Sequence, residues 1–199
     1  MNLTVEEGDF IVIRGKSGTG KTTLLKIIGL LETPDDGQVK LMRRDVGDLS
    51  DNERSDLRLH HIGFVFQFFN LIPSLRIVEN IELPLALAGI RRPERNRRAC
   101  NLLRYFGLTS LAARFPDTLS GGERQRIAIL RALANDPEII LADEPTSSLD
   151  DENSNLLLSL LTDINKERKV TIIITTTELH GEMPSTKNYL LKDGILATL

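Results

Sequence analysis

The 199 residues hold a single cysteine, no tryptophan and only 5% aromatics. With Cys100 alone, no internal disulfide can form, and such usage fits a reducing compartment. No stretch approaches the ~18 successive apolar residues of a membrane span. The N-terminal Met1-Asn2-Leu3-Thr4-Val5-Glu6-Glu7 is acidic and lacks the charged-then-apolar plan of a secretion signal. A net charge of −3 gives no global attraction for polyanions, which argues against a nucleic-acid partner. Internal repeats and low-complexity tracts are missing as well. What remains is an ordinary mixture, 41% hydrophobic and 27% charged, enough for one domain with a substantial core or one domain with an inserted lobe. The expectation is a soluble cytoplasmic chain that reaches a membrane only through a partner.

The first positive signal is Gly15-Lys16-Ser17-Gly18-Thr19-Gly20-Lys21-Thr22, followed by Thr23, which fits the phosphate-cradling pattern G-x-x-x-x-G-K-[ST]. Phe10-Ile11-Val12-Ile13 before it is an unbroken apolar run, as in a strand buried on both faces of a parallel sheet. Leu24, Leu25, Ile27, Ile28 and Leu31 after it recur at helical spacing. Glycines let backbone N–H groups turn inward, and a helix N-terminus adds its positive end, so the segment suits anionic oxygens. Lys21 is then placed for the β/γ-phosphates of a nucleotide and the Thr22 hydroxyl for Mg²⁺.

The remaining chain reads as alternating α/β structure. Gly37 to Met42 alternates polar and apolar residues, as a half-exposed antiparallel strand does, and Asp51 to His60 is a short polar helix. Ile62 to Phe66 is a second buried strand ending at Gln67. Between Phe69 and Leu119 no strand-like run occurs, and Ile77–Ala88, Pro93–Phe106 and Thr109–Arg114 read as helices. Ser120 to about Asn135 is helical, Ile139 to Ala142 is a third buried strand, and Asp150 to Lys166 is helical with Leu156, Leu157, Leu160, Leu161 and Ile164 on one face. Val170 to Ile174 is a fourth buried strand, and Tyr189 to Leu196 a hairpin about Asp193-Gly194. The expected fold is a P-loop NTPase core, residues 1–68 and 120–199, with a mainly parallel sheet, a small antiparallel part and an inserted helical subdomain at 69–119. Arg91, Arg92, Arg95, Arg97 and Arg98 form the one dense charge cluster, expected to be a solvated helix face, with a patch facing anionic lipid head groups or an acidic partner as the alternative.

Two further segments carry chemistry. Ile139-Ile140-Leu141-Ala142-Asp143-Glu144 is an apolar strand followed by two carboxylates, and in parallel sheets ligands gather beyond the carboxyl ends of strands. Asp143 is thereby a candidate Mg²⁺ ligand, and Glu144 a candidate base for a water attacking the γ-phosphate. Leu119-Ser120-Gly121-Gly122-Glu123-Arg124-Gln125-Arg126 opens a helix with Ser120 as N-cap and Glu123 at N3. A serine-capped helix with two glycines in its first turn is also an exposed phosphate site.

These motifs together resemble the nucleotide-binding subunit of an ABC transporter over essentially the whole chain. The Walker A loop Gly15–Thr22, the Q-loop Gln67, the signature Leu119–Gln125, the Walker B pair Asp143-Glu144 and the D-loop Ser147-Ser148-Leu149-Asp150 occur in the family's order. Ile62 to Pro73, Val78 to Leu85 and Ala142-Asp143-Glu144-Pro145-Thr146 are similar to the lipoprotein-release and macrolide-export branch. The resemblance implies a homodimer in which ATP is sandwiched. Walker A, Gln67, Asp143 and Glu144 of one protomer would face Ser120, Gly121 and Gly122 of the other, with Asp150 contacting the opposite protomer. It implies Gln67 as a further Mg²⁺ ligand that couples the helical lobe to the phosphates, and a permease docked on that lobe at the inner face of the cell membrane.

Two departures are visible. The family's switch histidine follows the last core strand in a Thr-His-Asp sequence, and here Thr177-Glu178 stands after Thr176. Thr177 is therefore the candidate catalytic residue at that position, with His180 expected to be a surface residue. The family also stacks adenine on an aromatic residue upstream of Walker A. The sole aromatic before Gly15 is Phe10, which belongs to the strand feeding the loop, so the platform and its strand are expected to be missing. Two readings remain open, an ATP-hydrolysing motor subunit and a hydrolysis-impaired, ATP-gated regulatory or assembly subunit. An ABC-type ATPase of DNA repair or translation is disfavoured, because neither a coiled-coil insertion nor a second cassette is present.

Overall fold

The computed structural model describes residues 1–180 and 183–199. Its centre is a six-stranded sheet built from β1 (Phe10–Arg14), β4 (Ile62–Val65), β5 (Ile139–Asp143), β6 (Thr171–Thr176), β7 (Lys187–Lys192) and β8 (Ile195–Thr198), ordered β4-β5-β6-β1-β7-β8. All neighbours run parallel except β7 and β8. Ile11, Val12, Ile13, Ile140, Ala142, Ile172 and Ile174 are completely buried, as continuous apolar runs must be when helices cover both faces of a parallel sheet. The turn between β7 and β8 has positive φ at both Asp193 and Gly194, the geometry that matches the twist of a two-residue hairpin.

The register places the carboxyl ends of three strands side by side. Asp143 of β5 is level with Thr175 of β6, and Arg14 of β1 is level with Thr176. The chain leaves β1 into the glycine loop and α1 (Lys21–Ile28), and the Gly15 N–H donates to the Thr176 carbonyl at 3.1 Å. α2 (Asp51–His61) opens with a reciprocal capping box between Ser50 and Glu53.

α3 (Ile77–Leu87) and α4 (Arg92–Tyr105) lie between β4 and β5 in the chain and pack on each other, and α3 packs on α5 (Gly121–Ala132). Their apolar faces, Ile77, Ile81, Leu85, Ala99 and Leu103, join one core cluster with Ile127 and Leu130 of α5 and with the strand residues Val12 and Ile172. Glu82, nearly buried, accepts from Arg95 at 3.0 Å and Asn96 at 2.7 Å. Glu94 holds Arg97 and Arg98, so three of the five clustered arginines are paired within the helical segment.

Three expectations need correction. The strand expected over Gly37–Met42 shrinks to β2 (Lys40–Leu41), paired only with β3 (Arg44–Asp45) in a separate ladder through the left-handed Met42-Arg43 turn. The helix expected at Thr109–Arg114 is one 3₁₀ turn, Thr109–Leu111. Beyond it the chain bends so that the carbonyls of Arg114 and Ala112 accept the first two N–H groups of α3, from Ile77 at 2.9 Å and Val78 at 3.0 Å, filling a need every helix N-terminus has. On α6 (Asp151–Arg168) the buried stripe is Leu157, Leu158, Leu161 and Ile164, while Leu156 is 48% exposed, because 157, 161 and 164 with 158 are what a 3.6-residue repeat aligns.

Two polar clamps fix the chain between β4 and α3. Asn80, completely buried, accepts from the Ile72 N–H at 2.7 Å and donates to the carbonyls of Ile72, Leu75 and Arg76. Arg131 of α5 donates to the carbonyls of Phe69 and Asn70, both of which have left-handed backbone.

Candidate functional site

The glycine loop is shaped by its backbone. Gly18 and Gly20 have φ of +78° and +96°, and a Cβ at either would meet nothing within 4 Å. Conformation rather than space therefore demands glycine. Gly20 also opens α1 without any side-chain cap, and no acidic residue lies in that helix's first turn, so the positive helix end is left uncompensated. Lys16 and Ser17 are exposed on the rim. Thr19 ties back to the Lys16 carbonyl at 2.9 Å.

Lys21 folds under this loop. It is 4% exposed, and its Nζ donates to the carbonyls of Gly15 at 2.9 Å and Lys16 at 3.1 Å. A third neighbour is Glu144, whose Oε1 lies 3.2 Å away. The next side chain, Thr22, donates to Asp143 Oδ2 at 2.8 Å. Asp143 Oδ1 accepts from Thr175 at 2.6 Å. Glu144, with φ +45°, is held by its N–H on the carbonyl and hydroxyl of Thr175, at 3.1 and 3.2 Å. Lys21, Thr22, Asp143 and Glu144 thus converge from two distant segments, although β6 lies between β5 and β1 in the sheet. Thr23 is exposed on α1, one residue beyond.

Gln67 follows β4, whose Val65 is level with Ala142, so the glutamine stands at the same sheet edge as Asp143. Its carbonyl accepts from Ser148 at 3.5 Å, which joins the segment after β4 to that before α6.

Ser120, Gly121, Gly122 and Asp150 form a second group. Ser120 caps α5 in a reciprocal box with Glu123. Asp150 caps α6, and bonds from the Asn153 backbone and side chain hold its carboxyl below the usual range. Asn153 also abuts Gly122, where any Cβ would come within 2.1 Å of its Oδ1. A side chain at 122 would have to displace the Asn153 amide, which donates to Asp150. Among the described residues, no hydrogen bond joins this group to residues 15–23 of the same chain.

Thr177 is exposed immediately beyond β6. With Glu144, Thr176, Glu178 and the start of α6 it lines an open cleft of about 490 Å³. His180 is exposed and does not line that cleft.

Sequence reasoning missed three buried polar side chains. Gln125 is completely buried and donates to the carbonyls of Pro145 at 2.9 Å and Phe66 at 3.3 Å, linking α5 to the segments that carry Glu144 and Gln67. Its signal was a polar residue at helical spacing within the apolar stripe of Gly122, Ile129 and Ala132. Thr175 breaks an isoleucine run with a hydroxyl, and Asn80 interrupts the apolar face of α3.

An apolar groove of about 650 Å³ lies between α2, β4, α3 and α5, lined by Leu59, Phe66, Leu83, Leu87, Arg58 and Arg131 among others. Arg58 donates to the Leu30 carbonyl at 2.6 Å, and burial pulls the Arg131 guanidinium below its ordinary pKa.

Residues 1–147 match the family described as ABC transporter. The chain belongs to that family, as its ATP-binding part. It is 42% identical over 98% of its length to the ABC transporter ATP-binding protein YtrE of Bacillus subtilis, covering 85% of that protein. It is 39% identical over 98% of its length to the lipoprotein-releasing system ATP-binding protein LolD of Cytophaga hutchinsonii, covering 90% of it. Against the longer ABC transporter H family member 2 of Dictyostelium discoideum, 42% identical, the chain spans 38% of the length. Among solved structures, the dimeric post-hydrolysis state of the ATP-binding cassette MJ0796 with ADP and Pi superposes with a TM-score of 0.87, at 43% identity over 97% of this chain and 85% of that one. The MJ0796 sequence comes from Methanocaldococcus jannaschii.

Proposed function

We propose that this chain is the ATP-hydrolysing motor subunit of an ABC transporter, working as a head-to-tail dimer that encloses two nucleotides and drives a membrane permease. The observation that carries this reading is the convergence of Lys21, Thr22, Asp143 and Glu144 at the end of the glycine loop. The loop N–H groups and the start of α1 receive the phosphates, and Lys21 adds a charge-assisted contact to the β/γ oxygens. Thr22 and Asp143 offer a hydroxyl and a carboxylate, hard oxygen donors of the kind Mg²⁺ shares with nucleotide phosphates, and Gln67 would complete the protein's contribution. Among the described residues no group of three His, Cys, Asp or Glu side chains could hold a metal; a cation at Thr22 and Asp143 would take further oxygen ligands from the nucleotide phosphates. Mg²⁺, when bound, neutralises charge on the phosphates in transit.

Glu144 accepts a proton from the water that attacks the γ-phosphorus, while the bond to the ADP oxygen breaks. Lys21, released from Glu144 by the incoming phosphates, stabilises the charge. Thr177, lacking imidazole, offers only a hydroxyl, and turnover is slow in consequence. Ser120, Gly121, Gly122 and Asp150 act in trans on the nucleotide of the partner protomer, which accords with their separation from the chain's own loop.

No helix among the described residues is long and apolar enough to cross a membrane. The groove beside α3 is the permease's docking place, and residues 69–119 are the lobe that transmits its motion, keeping the protein peripheral to the inner face of the cell membrane. Phosphate release by the wild type and by Glu144→Gln tests the reading. Equal rates would remove Glu144 from the chemistry.

A further inference from the structure

Thr175 occupies a place that no motif assigns. It is completely buried in β6, level with Asp143 on the adjacent strand. A buried threonine in a strand needs a partner for its hydroxyl, and here the partners are specific. The Glu144 N–H approaches Thr175 Oγ1 at 3.2 Å, and Thr175 Oγ1 approaches Asp143 Oδ1 at 2.6 Å. An N–H can only donate, and an ionised carboxylate can only accept. The direction of the chain is therefore fixed: Glu144 N–H to Thr175, then Thr175 O–H to Asp143 Oδ1. The hydroxyl's one proton has a single destination.

The consequence falls on the other oxygen. Asp143 Oδ2 is turned toward Thr22, 2.8 Å away. A carboxylate free to rotate would present either oxygen, at any angle; one pinned on Oδ1 presents Oδ2 to the side where Thr22 stands. Glu144, with its left-handed backbone, is fastened to the same hydroxyl.

We infer that Thr175 is a positioning residue for this site, orienting the Asp143 carboxylate toward Thr22, the pair that would hold a cation, and locking the Glu144 backbone to that carboxylate. The inference rests on the proposed ATP-binding function. Partners that orient a metal-ligating group typically contribute about 10-fold or more to metal affinity.

The test separates cation binding from nucleotide binding and from folding. ATP affinity is measured by calorimetry in EDTA and in Mg²⁺ for the wild type, Thr175→Val and Thr175→Ser, with melting temperatures alongside. Valine keeps the shape and strand preference and removes the hydroxyl; serine keeps the hydroxyl. The expected result is an unchanged EDTA affinity in Thr175→Val, a roughly tenfold smaller gain on adding Mg²⁺, and recovery of most of that gain in Thr175→Ser. If valine is not tolerated, Thr175→Ala replaces it in the same comparison. A full Mg²⁺ gain without the hydroxyl overturns the inference. So does an equal loss with and without Mg²⁺, which marks general damage, or a serine variant no better than valine. A wild type that binds no ATP in either buffer overturns the functional reading itself, and the inference falls with it.

Discussion

Lys21 and Glu144 form an ion pair 3.2 Å long beneath the glycine loop. The pair is largely buried, with Lys21 at 4% and Glu144 at 18% exposure. Under the proposed function, a phosphate that takes Lys21 would displace the carboxylate and free Glu144 for the attacking water. Glu144→Gln weakens that competition. It is expected to bind ATP more tightly than the wild type and to persist as an ATP-bound dimer on size-exclusion chromatography. A variant that stays monomeric at high protein and ATP concentration would count against the two-chain site.

Lys21→Ala removes the opposite member. The loop's backbone donors remain, but the charge-assisted contact is lost, and no binding is expected at micromolar ATP by calorimetry. Unchanged affinity would mean the loop is not the phosphate site.

Ser120 has two separable roles. As the N-cap of α5 it accepts from Glu123 N, a bond worth about 1 kcal/mol when removed by alanine. Aspartate caps as well as serine does, so Ser120→Asp is expected to keep the wild-type melting temperature. It also sets a negative charge where the partner's γ-phosphate would sit, and ATP-induced dimerisation should vanish. Dimerisation that survives the aspartate would show that α5 does not meet nucleotide.

Thr177 shares a cleft with Glu144. Supplying an imidazole there should raise kcat, by about tenfold out of the 10²–10³ that one preorganised group contributes, with KM little changed. His180, exposed and outside the cleft, should tolerate alanine. Loss of turnover in His180→Ala, with no gain in Thr177→His, would show that the histidine function lies at 180.

The groove beside α3 offers a test that leaves the nucleotide site alone. Leu87 is 68% exposed at its edge. Leu87→Glu should leave basal ATP hydrolysis intact and abolish its stimulation by the cognate permease in liposomes. Stimulation at the wild-type level would place the permease elsewhere.

The sheet was legible because its strands are apolar runs ended by chemistry-bearing residues: Ile139 to Ala142 stops at Asp143, and Phe10 to Ile13 leads into the glycine loop. The cap of α5 was legible too, since Ser120 and Glu123 state a boundary locally. The 3₁₀ turn at Thr109 was hidden, because its conformation serves the N-terminus of a helix more than thirty residues earlier. Thr175 and Gln125 were hidden because their partners are main-chain groups and a carboxylate on other elements, and polar residues in apolar stripes announce a need without naming what meets it. The ion pair of Lys21 with Glu144 required the register of the sheet.

The two clamps after β4 leave little slack in that connection. Arg131 holds the carbonyls of Phe69 and Asn70, and Asn80 holds the chain from Ile72 to Arg76 against α3. Only Phe66, Gln67 and Phe68 stand between the end of β4 and the first carbonyl that Arg131 holds, and Gln125 and Ser148 donate to the carbonyls of Phe66 and Gln67. If the proposed function holds, a shift of Gln67 toward a bound nucleotide has no long loop to dissipate it. It would pass to α3 as a rotation of a stiff arm, with the short segment from Phe66 to Phe68 as its pivot.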